Sequence, residues 1–159
     1  MAKLKLVYED NPLLRKISKP VEEITPRIHR LLDDMAETMR AENGCGLAAV
    51  QVGVLRRVVV IETEPGKLIE LINPEIIAAE GIQTEYEGCL SLPGKYGITQ
   101  RPMTVTVRAL DRNGQAFELT GSELLAKAIC HEIDHLDGKL YTDCAVRMLT
   151  PEEIEEMLE

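Results

Sequence analysis

The stretch AICHEIDHLDG, residues 128–138, carries two of the chain's three histidines four residues apart, with Glu132 directly after the first. The spacing predicts a helix here. Leu124, Leu125, Ala128, Ile129, Ile133 and Leu136 recur at helical intervals, and Gly138 supplies a stop. On a helix His131 and His135 lie one turn apart on one face, so both imidazoles can reach one metal ion. Glu132 is rotated by about 100° around the axis, close to such an ion without being obliged to bind it. That is where a base acting on an activated water would stand. The apolar flanks make this a largely buried helix, and buried imidazoles need partners. The competing explanation is an exposed polar helix face in a chain with 27 acidic residues.

Outward from this helix, the chain reads as strands between helices. Thr25 and Pro26 are placed as N-cap and first residue of an earlier helix. Ile28, Leu31, Leu32, Met35 and Met39 follow at helical spacing up to Asn43-Gly44, and His29 reads as a solvated surface histidine. RRVVVIE (56–62), LIELINP (68–74) and EIIAAEG (75–81) are β-rich, with turn signals between them. MTVTVRAL (103–110) alternates, and DRNG followed by QAFEL predicts a hairpin return. Thr120 with Glu123 and Thr150 with Glu153 have the spacing of capping boxes, the first opening the histidine helix and the second a short final helix. The expected fold class is α+β. Mostly antiparallel sheets would surround the buried H-E-x-x-H helix, with further helices near the N- and C-termini, in a single domain over residues 1–159.

Composition narrows the function. The 159 residues fit one domain able to bury its own core, and at 3% aromatic content that core must be built from Leu, Ile, Val and Ala. A net charge of −9 with few aromatics argues against a specific nucleic-acid groove, which needs clustered cations and stacking platforms. No segment reaches the length of a membrane span and the start carries no signal-peptide pattern, so a cytoplasmic protein is expected. In that setting the four cysteines (Cys45, Cys89, Cys130 and Cys144) are expected as reduced thiols, one of them available to a metal.

The third ligand decides the class of site. The longer pattern H-E-x-x-H-x-x-G-x-x-H keeps its glycine at Gly138 but has Tyr141 in the last slot. A downstream glutamate is a second option, and Glu152, Glu153, Glu155 and Glu156 are available, although an acidic first turn also suits the helix dipole. Cysteine is a third. Cys130 points about 100° away from His131, whereas Cys89 lies in YEGCLSLPG, a segment that reads as irregular and could bend toward the helix. A closed site of Cys89, Cys130, His131 and His135 would make the metal structural and the protein a binding module.

GCGLAAVQ (44–51), EGCLS (87–91) and HEIDH (131–135) resemble the three signature motifs of peptide deformylases, in the family's order and spacing. The resemblance runs over nearly the whole chain, from NPLLRKISKPV to DGKLY. It implies a metal-dependent hydrolase that removes the N-formyl group from the formyl-methionine of newly made proteins. It further implies Cys89, His131 and His135 as ligands of one divalent ion with water in the open position, and Glu132 as general base and acid. Gln51 and the backbone N–H of Leu90 become oxyanion donors, Gly46 pairs with the bound peptide, and Arg101 stands near the peptide exit. Iron(II) is the implied metal, with zinc, nickel or cobalt as other occupants; affinity alone would favour zinc. Leu124 and Ala128 share a helix face with His131, and with Cys45 they could wall an apolar slot for the methionine side chain. Two features depart from expectation. Lys127 stands where an apolar residue would be less surprising. The acidic tail PEEIEEMLE argues against direct docking on ribosomal RNA, even if the enzyme works near the ribosome.

Overall fold

Val58-Val59-Val60-Ile61 is a run of four apolar residues, all fully buried, and it forms the middle of the molecule. The computed structural model of the chain describes residues 2–159. In chain order the elements are α1 (Pro26–Ala41), β1 (Gly46–Ala48), β2 (Val58–Ile61), β3 (Ile69–Glu80), β4 (Gln83–Cys89), β5 (Leu92–Arg101), β6 (Thr104–Leu110), β7 (Ala116–Ser122), α2 (Leu124–Leu136), β8 (Ala145–Met148) and α3 (Pro151–Leu158). One antiparallel sheet has the order β1-β2-β3-β6-β7, and a smaller one the order β4-β5-β8. β2 is buried on both faces because α1 covers one side and α2 the other. Val58 and Val60 pack with Leu32, Met35 and Met39 of α1, while Val59 and Ile61 pack with Ile129, Ile133 and Leu136 of α2. A strand covered on both faces reads as a continuous apolar run, as this one does.

The α+β class, the antiparallel sheets, the terminal helices and the Thr150–Glu153 capping box match the expectations drawn from sequence. Four local expectations do not. LIELINP and EIIAAEG are one strand, because Asn73 takes a left-handed conformation (φ 52°) inside a bulge rather than a turn. Its side chain accepts a hydrogen bond from Val21 N at 2.8 Å and donates to Val21 O at 2.9 Å. YEGCLSLPG is not irregular. It closes a hairpin in which Cys89 pairs with Leu92, leaving Leu90 and Ser91 as the turn. Thr120 caps nothing, because its hydroxyl meets that of Thr106 across β6–β7 at 2.8 Å and α2 begins only at Leu124. His29 is half-buried, with Nε2 at 2.7 Å from Arg112 O, so it tethers the β6–β7 turn instead of standing free in solvent.

Gly138 does end the histidine helix, with φ at 75°. A Cβ there would sit 2.4 Å from Arg15 O, so both the turn and the close packing require glycine.

Candidate active site

Three ligand-type side chains converge where α2 passes β1 and the end of β4. His135 Nε2 lies 3.1 Å from His131 Nε2 and 3.3 Å from Cys89 Sγ. The three ligand atoms all lie within 4.8 Å of one another, and this is the only such group of three or more among the described residues. Metal–nitrogen bonds of 2.0–2.1 Å and a metal–sulfur bond of 2.3 Å at tetrahedral angles require edges of about 3.4 Å (N–N) and 3.6 Å (S–N). The two edges from His135 are within a few tenths of an ångström of that, and the third stays within 4.8 Å, so the donors fit a zinc- or iron-sized ion with a small closing of the group. An N₂S set also leaves a coordination position free of protein, as a catalytic site needs.

Burial and the neighbouring charges move the two histidines in opposite directions. Burial alone would depress the His131 pKa, but Glu132, Cys89 and Glu87 outweigh it and raise it well above the usual histidine range. The same burial, helped by neighbouring His131, holds His135 well below that range. Glu87 Oε2 lies 2.5 Å from His131 Nδ1. Burial opposes the Glu87 charge, yet bonds from His131 and Arg101 prevail and bring its pKa to about 2. An anionic Glu87 accepts a hydrogen bond from Nδ1–H, so the proton His131 gives up to bind an ion is the one on Nε2, beside His135. Glu87 is held in turn by Thr99 Oγ1 at 2.7 Å, by Arg101 Nη2 at 2.7 Å and by Arg101 Nε at 3.1 Å. Arg101 also donates from Nη1 to Asp134 at 2.8 Å.

Glu132 is buried, with its Oε1 lacking any hydrogen-bond partner in the protein and its Oε2 at 4.0 Å from His131 Nε2. Burial pushes its pKa up to about 7. Gly46 makes room for it, since a Cβ at that position would come within 2.6 Å of Glu132 Oε2. Gln51, also buried, has a fixed amide orientation. Its Oε1 accepts from Ala48 N at 2.9 Å, which leaves Nε2 to donate to Ser91 Oγ at 3.1 Å and to face Cys89 Sγ at 3.5 Å. A neutral amide N–H and the Leu90 turn thus border the same space.

That space opens into a cleft of about 640 Å³. Gly44, Cys45 and Gly46 form one wall, Tyr86 to Leu90 another, and Leu124, Lys127, Ala128, His131 and Glu132 of α2 a third. The structure therefore gathers Glu132, Gln51, Leu90, Gly46, Cys45, Leu124 and Ala128 around the Cys89–His131–His135 group. Arg101 is the exception. It does not line the cleft and is only 7% exposed, because its guanidinium is engaged behind the histidines by Glu87 and Asp134. The expectation that it stands at a peptide exit gives way to a supporting position under His131. Glu87 was missed as a functional residue although it opens the EGCLS motif; only the fold reveals that it lies against His131.

The alternative ligands are not brought in. Cys130 is buried outside the group, its thiol pushed up to about 11 by burial. The α3 glutamates do not join the group either, and Tyr141 stacks on His131 at 6.1 Å between ring centroids.

The sequence profile of the family described as Polypeptide deformylase matches residues 3–150. The peptide deformylase of Acetivibrio thermocellus is 55% identical over 157 residues, covering 98% of this chain and 92% of that protein. The peptide deformylase of Caldanaerobacter subterraneus is 55% identical over 149 residues, covering 94% of this chain and 93% of that protein. Among solved structures, a peptide deformylase from Legionella pneumophila matches with a TM-score of 0.88 at 41% identity, covering 99% of this chain and 96% of its own. One from Synechococcus elongatus in complex with actinonin matches with a TM-score of 0.87 at 38% identity, covering 99% of this chain and 85% of its own.

Proposed function

The chain belongs to the peptide deformylase family, whose metal-dependent members deformylate nascent proteins, and we propose that it removes the formyl group from N-terminal formyl-methionine with Cys89, His131 and His135 holding one divalent ion. The observation that carries this is the convergence of one sulfur and two imidazole nitrogens beside a buried carboxylate whose Oε1 lacks a partner in the protein. An ion held there supplies Lewis acidity, which makes water a nucleophile near neutral pH and polarises a carbonyl.

The chain's own residues supply the rest. Glu132 takes a proton from the attacking water and passes it to the departing methionine amine, a task suited to a carboxylate with a pKa near 7. Gln51 Nε2 and the Leu90 N–H donate to the formyl oxygen as it gains negative charge, each donor worth about 3 kcal/mol. β1 and β4 are outer strands of their sheets, and both border the cleft. An extended peptide can therefore add to them by main-chain pairing, with Gly46 facing it and Cys45, Leu124 and Ala128 around the methionine side chain. These features support a nascent polypeptide as partner.

The family resemblance points to iron(II) as the native ion, with zinc, nickel or cobalt able to take its place. No helix among the described residues is long and apolar enough to cross a membrane, and work on nascent chains suits the cytoplasm. The acidic, exposed surface of α3 disfavours this tail as a direct contact to ribosomal RNA, leaving ribosome proximity without that contact.

Freshly reduced, metal-loaded protein should release formate from formyl-Met-Ala-Ser in equal amount to the free peptide. Absence of formate would overturn the proposal. A second expectation concerns Glu87. Glu87→Gln keeps the side chain's size but removes the charge that fixes the His131 tautomer, so divalent-metal affinity should fall by about 10- to 100-fold in chelator competition. Unchanged affinity would show that Glu87 does not support the ligand.

A further inference from the structure

Residues 2–9 cross the molecule as a strap without regular secondary structure. Ala2 N donates to Asp34 Oδ1 at 2.7 Å and Leu4 N to Thr38 Oγ1 at 2.8 Å, which fixes the strap along α1. Leu6 and Tyr8 then line the cleft, while Val7 between them packs against the core that holds Ile129 and Ile133 of α2. Such alternation is the habit of an extended chain. Beyond it Asn11 N donates to Tyr8 O at 2.9 Å, closing a turn, and Leu14 is fully buried. The strap is thus anchored at both ends.

Between its anchors the strap touches both segments assigned above to the oxyanion donors. Val7 N donates to Gln51 O at 2.7 Å, and Glu9 N donates to Ser91 O at 3.0 Å. N–H groups two residues apart in an extended chain point the same way, so one edge of the strap reaches both carbonyls. Gln51 follows β1 of the larger sheet, whereas Leu90 and Ser91 form the β4–β5 turn of the smaller one. Gln51 Nε2 meets Ser91 Oγ at 3.1 Å and closes a ring of contacts through the strap.

Two donors act on one oxygen only if their separation is held closely, and here they come from different sheets. Ser91 is fully buried, so no solvent replaces a donor lost from its carbonyl, and the turn must shift to find another. The Glu9 side chain is not part of this contact. It pairs with Lys95 at 2.5 Å on the exposed surface, where an ion pair adds little.

We propose that Glu9, through its backbone N–H, is a positioning residue that holds the Leu90–Ser91 turn in place relative to Gln51. This rests on the deformylase function proposed above, in which Gln51 and the Leu90 N–H receive the negative oxygen. Glu9 and Asp10 are the central residues of their turn and neither is left-handed, so proline is accommodated at position 9. Glu9→Pro removes the side chain and the N–H, whereas Glu9→Ala removes the side chain alone.

The test compares these two variants as metal-loaded proteins. Sites are counted by titration with the product Met-Ala-Ser amide, which has no formyl oxygen, and kcat for formyl-Met-Ala-Ser amide is expressed per site. The ratio therefore does not depend on the fraction folded. Glu9→Pro should turn over about tenfold more slowly than Glu9→Ala, as expected for a donor displaced rather than deleted. Product affinity and metal content should be the same in both. Val7→Pro, which removes the other N–H, should lower kcat per site in the same way. Equal kcat per site in Glu9→Pro and Glu9→Ala, a matching loss of product affinity, or loss of the ion would overturn the proposal alone. Product binding by neither proline variant would make the strap a part of the fold and overturn it too. Absence of formate with the unaltered protein would overturn the deformylase function and this inference with it.

Discussion

Glu132→Gln is expected to give a folded, metal-loaded protein whose turnover is lower by about 10²- to 10⁴-fold, the range for removal of a general acid–base group. The substitution is nearly isosteric, so the tight space beside Gly46 is still filled and the core around α2 is undisturbed. At neutral pH it replaces a carboxyl group with a pKa of about 7 by an amide, which keeps hydrogen-bonding reach but accepts no proton. Were Glu132 only a polar residue on a helix, the change would cost a few tenths of a kcal/mol of stability and leave turnover intact. Turnover by stopped assay, metal by elemental analysis and folding by circular dichroism separate these cases. An active Gln variant would end the proton-transfer role, and loss of metal would make Glu132 a ligand or its support.

Cys89→Ala should lose metal and activity together, with turnover falling at least 10²-fold, because it removes the thiolate that makes the donor set N₂S. The fold should survive, since Cys89 is only partly buried at the end of β4. Cys130→Ala and Glu155→Ala serve as controls. Cys130 is buried away from the ligand atoms and Glu155 lies exposed on α3, so both should keep the metal. Metal lost in Cys130→Ala as well as in Cys89→Ala would favour the closed structural site, and metal retained in Cys89→Ala but lost in Glu155→Ala would favour the tail-glutamate site instead.

Periodicity made much of this fold legible. α1 and the β6–β7 hairpin each bury one regular face, α2 keeps an apolar repeat although it is buried nearly all round from Ala128 on, and the buried β2 shows as an unbroken apolar run. β4 was not legible, because Thr84, Glu85 and Tyr86 are all exposed and its sequence lacks an apolar alternation. Asn73-Pro74 carried a turn signal that the sheet absorbs as a bulge, with Val21 satisfying the asparagine side chain.

The site divides in the same way. His131, Glu132 and His135 are read from the helix repeat alone, because four residues make one turn. Cys89 needed the family resemblance. Glu87 and Arg101 depend on which strands face α2, a tertiary fact with no local signature. The Glu87–His131 contact joins residues 44 apart in sequence.

The most direct test of the account is formate release as a function of bound metal. Protein stripped by a chelator and refilled anaerobically with iron(II) or nickel should be inactive at first, then gain activity in proportion to the ion bound. The gain should level off at about one ion per chain, as expected for a single three-ligand group. Full formate release from metal-free protein, or a second ion required for turnover, would contradict the assignment of Cys89, His131 and His135 as the catalytic centre.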